Sequence, residues 1–180
     1  MLRGSDRQRR TQRAPGQDDA AATGLIEVDA VGLQALQAAL TPVARHLAHI
    51  PQYVVAAPEY WEAHGKPHIP EDLSSHDCIN FQFPTSGRLY KWEFERDGER
   101  IPLEVGGTYT ANDVDGVRDL ARLGLGVAQL PGHEILNDVR TGKLQVVLTD
   151  FVSMERSIYI CFPHRDHIAP RTRVFVDFVV

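Results

Sequence analysis

The chain has 180 residues and a mass of 20.1 kDa, 43% of them hydrophobic and 24% charged. That is enough for one ordinary domain or two small subdomains with a real core. No apolar run approaches the ~18 residues of a membrane helix, which excludes a helical span and a membrane partner. The formal net charge is −5. Five of the 19 basic residues (Arg3, Arg7, Arg9, Arg10, Arg13) and one of the 24 acidic ones (Asp6) crowd into the first thirteen positions. The body is left with 14 basic and 23 acidic residues, a net of −9. An acidic body offers no basic face for nucleic acid.

Residues 1–19, rich in Arg, Gln and Asp without apolar periodicity, predict a disordered tail. Leu33, Leu36, Ala39 and Leu40 predict a short amphipathic helix over 32–40, which Pro42 stops. The apolar, β-branched run YVVAA at 53–57 predicts a buried strand. Pro58 then opens a helix over 59–64, closed by Gly65. PEDLSSH at 70–76 predicts a second short helix, and CINFQF at 78–83 a strand. In KWEFERDGERIPLEV the alternation of Trp92 and Phe94 with Glu93 and Glu95, followed by Asp97-Gly98, predicts a two-residue hairpin. A brief extended piece falls at 109–111.

The helix predicted over 112–123 is the best specified. Val114, Val117, Leu120 and Leu123 share a face, with acids in its first turn and arginines later. Strands follow at 126–131, 144–148 and 157–162, with helices over 133–140 and 170–180. Alternation on this scale predicts an α/β fold.

Few residues pass as chemistry. His46 and His49, and His164 and His167, are each three apart. They lack a Cys or carboxylate partner at ligand spacing, so no metal and no cofactor is predicted. Ser75-His76-Asp77 has the residue types of a hydrolase triad, but triad members converge from separate elements rather than from neighbouring positions. Turnover of generic esters, lost in Ser75→Ala, would be its signature. Cys78 in an apolar strand reads as a small buried hydrophobe. Gly124-Leu125-Gly126 ends a helix and begins a strand, the reverse of a phosphate loop, and reads as a helix stop. The two cysteines, Cys78 and Cys161, fit a reduced cytoplasmic compartment. No catalytic residues are expected, and the chain is predicted not to be an enzyme. Two places could present donors to a small ligand. One is the turn Pro84-Thr85-Ser86-Gly87; the other is the helix start at Asn112 and Asp113, where an anion competes with Asp113 and Asp115 for the same N–H groups.

The order of these pieces resembles the effector-binding domain of LysR-type bacterial transcription regulators. The strand-then-Pro at Ala57-Pro58, PEDLSSHDCINF, the hairpin over 92–98, the return strand GLGVAQLP and the closing PRTRVFVDFVV carry the likeness, which runs over 43–180. The resemblance implies a type II periplasmic-binding-protein-like α/β fold of two subdomains joined by two crossover strands, with a small organic effector in the cleft. Carried over, 53–57 and 126–130 would be the crossovers. Residues 43–57 and 126–180 would form a partial first subdomain, 58–125 the second, and 1–42 a tail plus short helix without counterpart. Thr85, Ser86, Gly87, Asn112 and Asp113 would be effector-binding residues. The family's winged helix-turn-helix and linker helix have no match here, so DNA contact would need an absent N-terminal domain and the first subdomain would be incomplete. The YVVAA and LQVVL strands would then expose apolar faces or open edges, favouring association. The alternative is a fragment that acts by pairing with itself or with full-length regulators in mixed dimers.

Overall fold

The computed structural model describes residues 24–28, 43–154, 156–162 and 170–179. In chain order these form β1 (Gly24–Val28), β2 (Val43–His49), β3 (Gln52–Ala56), α1 (Pro58–His64), a 3-10 turn (Pro70–Ser75), β4 (Asn80–Phe81), β5 (Trp92–Arg96) and β6 (Glu99–Leu103). Then come β7 (Thr110–Ala111), α2 (Val114–Arg122), β8 (Ala128–Pro131), α3 (Gly132–Arg140), β9 (Gln145–Val147), a 3-10 turn (Thr149–Phe151), β10 (Ser157–Phe162) and α4 (Pro170–Val179).

Local chemistry sets most boundaries. Pro58 occupies the first turn of α1, where its missing N–H has no partner to lose. Asp113 is extended and sits just outside α2, its carboxylate accepting the Gly116 N–H at 2.6 Å. In the β5–β6 hairpin both turn residues have positive φ, 55° at Asp97 and 80° at Gly98, the twist that a two-residue connection needs.

Two groups of strands result. β1, β10 and β2 form an antiparallel sheet in that order, and Ile160 of β10 packs with Leu47 of β2 and Val176 of α4. In the second sheet β3 lies between β8 and β9, antiparallel to both. β4 pairs in parallel with β7, and Cys78 bridges Val127 in parallel, which ties these strands to the approach to β8. Two apolar clusters fill this larger part. One joins Val54, Trp61, Leu73, Trp92, Phe94 and Val147; the other joins Val55, Ile79, Val117, Leu130, Ile135 and Leu144.

These clusters move the division of the chain. β3 and β8 do pair, from Gln52–Pro131 to Val55–Ala128. They are internal to one body, however, because α3 and β9 share its clusters. The boundary expected at 126 therefore cuts through a common core. The chain passes between its two parts at 50–52 and again at 153–157, where Ile50 N–H donates to Arg156 O at 2.7 Å. The strands running side by side at this junction are β2 and β10.

Other expectations change too. β1 falls within 1–42, where only a tail and helix are expected; its five residues are too short for a periodic signal and their partner lies more than 125 positions away. The tail over 1–19 and the helix over 32–40 lie outside the described residues. The 70–76 helix is a 3-10 turn, whose Ser74 and Ser75 hydroxyls donate to the Glu71 and Asp72 carbonyls in competition with backbone N–H groups. The YVVAA run is an inner strand with Val54, Val55 and Ala56 buried, whereas the LQVVL run does lie at a sheet edge as β9, with its Leu144 and Val147 buried. Gly124 is a helix stop with φ of 71°, but Gly126 has another role, since a Cβ there would lie 2.4 Å from the Asp77 carbonyl oxygen.

Candidate functional site

A cavity of about 150 Å³ lies where the larger body meets the two linking segments. Period-two alternation places Ile79, Phe81 and Phe83 on its wall, and likewise Tyr90 and Trp92. Val114 and Val117, one turn apart on α2, form another side, and Gln129, Leu130 and Pro131 of β8 the floor. Gln52 and Arg156 come from the two linking segments themselves.

The polar end is built around Gln129, 6% exposed. Its Oε1 accepts the Tyr90 hydroxyl at 3.2 Å and the Glu93 N–H at 3.0 Å, and its Nε2 donates to the Glu93 carbonyl at 2.8 Å. The Arg156 guanidinium lies 4.6 Å from the centre of the Tyr90 ring, and its Nε stands 3.5 Å from Glu93 Oε2. Burial pushes the Tyr90 phenol well above its ordinary range, so it stays a neutral donor. The arrangement can bind a small, mostly apolar molecule by one polar end; among the described residues of its wall no nucleophile is paired with a base.

The expected ligand residues stand beside this cavity in the chain. Thr85, Ser86 and Gly87 are exposed in the turn after Phe83, where Gly87 O accepts from Gln82 Nε2 and Ser86 Oγ accepts the Arg88 N–H. Asn112 and Asp113 are exposed immediately before Val114. None of the five is in the cavity wall. Sequence reasoning passed over Gln52, Gln129 and Arg156. A lone amide within the apolar run GVAQLP was the available signal, because a buried amide must find partners.

The other candidates resolve into structure. Ser75 Oγ donates to Asp72 O, His76 Nδ1 lies 3.4 Å from the Tyr60 hydroxyl, and Asp77 accepts from Thr108, so the three share no geometry. Cys78 is fully buried, and burial pushes its thiol up to about 12. A β-bulge leaves Leu47 unpaired and turns His46 and His49 to one side, where both ring nitrogens lie within hydrogen-bond distance of Ser157 Oγ, at 3.2 and 3.1 Å. Among the described residues, no group of three or more His, Cys, Asp or Glu side chains is placed to hold a metal ion. His164 and His167 lie outside the described residues.

The mixed α/β fold, with a ligand-sized cavity beside paired linking strands, is that of a regulatory domain of the periplasmic-binding-protein-like type II class. Residues 31–180 match the LysR substrate binding domain, and the chain belongs to that family. The matched span opens at 31, whereas motif resemblance begins at Val43. The chain is 33% identical over 138 residues to the HTH-type transcriptional regulator CrgA of Neisseria meningitidis, covering 76% of this chain and 45% of that protein. It is 33% identical over 126 residues to the uncharacterized HTH-type transcriptional regulator YcaN of Escherichia coli, covering 70% and 40%. Among solved structures, full-length AphB, a virulence activator of Vibrio cholerae and a member of the LTTR family, superposes with a TM-score of 0.67 at 28% identity, covering 86% of this chain and 49% of that one. The chain thus spans less than half the length of these relatives. Among the described residues, no helix is long and apolar enough to cross a membrane.

Proposed function

We propose that this domain senses a small organic effector in the 150 Å³ cavity and serves a cytoplasmic LysR-type regulator rather than an enzyme. One observation carries the reading: the wall combines residues of the larger body with Gln52 and Arg156 from the two linking segments. A ligand touching both has different contacts when the β1–β10–β2 sheet changes its angle to the larger body, and only such a difference can shift a conformational equilibrium. Thr85, Ser86, Gly87, Asn112 and Asp113 are proposed as hydrogen-bonding groups at the rim, next to the wall residues Phe83 and Val114. DNA would be contacted by a separate winged helix-turn-helix, not by this acidic domain.

The test is a thermal-shift panel of benzamide, benzoate, benzyl alcohol, acetamide and succinate. At least one compound is expected to raise Tm by several degrees. Ser86→Ala combined with Asn112→Ala should abolish that rise, and Val114→Phe, which fills the cavity, should abolish it independently. A rise unchanged in the double variant removes the rim residues; no rise with any compound overturns the effector reading.

A second reading rests on α4, where Val174, Phe175 and Phe178 are 70%, 56% and 87% exposed. Such a face suits association with another copy or with a full-length regulator in a mixed dimer. Co-elution of the chain with intact CrgA on gel filtration would support it, and separate peaks would exclude that partner.

A further inference from the structure

Resting on the reading of this cavity as the effector site, we infer that its ligand is an uncharged compound with one aromatic ring and one hydrogen-bond acceptor. The size sets the first limit. A protein cavity of about 150 Å³ is large enough to hold benzene, so a single ring with a small substituent fills this one.

The walls favour a flat ring. Phe81, Phe83, Tyr90 and Trp92 all contribute. Phe81 meets Phe83 edge to face at 5.3 Å and 85°, and Phe83 meets Tyr90 at 6.3 Å and 87°. A further ring extends that edge-to-face series, which an aliphatic chain cannot do.

The polar end decides charge and polarity. Among the described residues of the wall Arg156 is the sole cation, and it already faces the Glu93 carboxylate at 3.5 Å and covers the Tyr90 ring at 4.6 Å. An anionic ligand would compete with Glu93, itself mostly buried, for one guanidinium, and two carboxylates in one poorly solvated place repel. What the site offers instead is a neutral donor. The Gln129 amide carries two N–H groups. One is given to the Glu93 carbonyl, and the second meets no acceptor among the described residues. A carboxamide, carbonyl or hydroxyl oxygen on the ring would accept it.

Benzamide and benzoate share a shape and differ in charge, so the pair isolates this inference. Titration calorimetry of the whole chain with each, at pH 7.5, should give benzamide a Kd at least tenfold below that of benzoate, with acetamide silent. Val114→Phe should weaken benzamide at least tenfold. Because that substitution also perturbs α2, intermolecular NOEs from benzamide ring protons to Phe81, Phe83 or Trp92 are expected in the unaltered protein. Benzoate binding equal to or tighter than benzamide, with NOEs to the same rings, overturns the uncharged class but leaves the cavity as the site. Binding by acetamide or succinate alone overturns the aromatic class. Silence from every compound overturns both, as do benzamide NOEs confined to other residues.

Discussion

Cys78 shows how burial alone decides the chemistry of a side chain. Its sulfur lies between the 3-10 turn and the strand bridge to Val127, 3.8 Å from the Leu73 carbonyl. Burial raises the thiol from its ordinary 9.0 to about 12, the nearby Asp77 carboxylate adding to the effect. The folded state therefore keeps its proton where the unfolded chain releases one. This stabilisation is complete below pH 9 and declines as pH rises towards 12, by up to about 1.4 kcal/mol per pH unit. Urea melts of the unaltered protein should lose stability between pH 9 and 10.5, and Cys78→Ala should flatten that slope. An equal slope in both would show that other groups dominate. The apolar neighbours of Cys78 made its burial legible in sequence. The neighbours of Gln129 suggested only a strand, since no local signal tells that a buried amide will meet Tyr90 and Glu93 from 39 and 36 positions earlier.

At the scale of elements, the best-marked segments are those whose instructions are local. α2 begins and ends within two residues of its expected bounds, because a capping aspartate, an apolar stripe and a terminal glycine all act within one helix. The Asp97-Gly98 hairpin is equally self-contained. Gly126 is different, since its role appears only where the approach to β8 meets the Asp77–Cys78 segment just before β4. There the Val127 N–H donates to Asp77 O at 2.9 Å, and the same oxygen would be 2.4 Å from a Cβ at position 126. Gly126→Ala must push these strands apart, at about 1–3 kcal/mol. Its urea midpoint should fall accordingly, whereas Gly106→Ala, where a Cβ meets nothing within 4 Å, should change it little. Equal midpoints in the Gly126→Ala and unaltered proteins would contradict the close approach.

Across the whole molecule, the apolar exposure expected at the strands falls on the terminal helix. β3 is sheltered because β8 and β9 flank it and α1, α2 and α3 pack around the same clusters. α4 turns Val176 inward onto Ile160 but leaves Val174, Phe175 and Phe178 exposed. Sedimentation velocity should show concentration-dependent association, and Phe175→Ser with Phe178→Ser should shift the protein towards monomer. A monomer at all concentrations would show that this face is tolerated in water.

The sequence by itself determined the α/β alternation, the family and most element boundaries, since these depend on spacing along the chain and on residue type. Only the tertiary structure decided which strands link the two parts, that β1 completes a sheet with β10, and that Gln52, Tyr90, Gln129 and Arg156 line one cavity, with Glu93 behind Gln129 and Arg156. Pairings between residues more than a hundred positions apart are selected by the packing of the whole core, which leaves no periodic trace in any short stretch of chain.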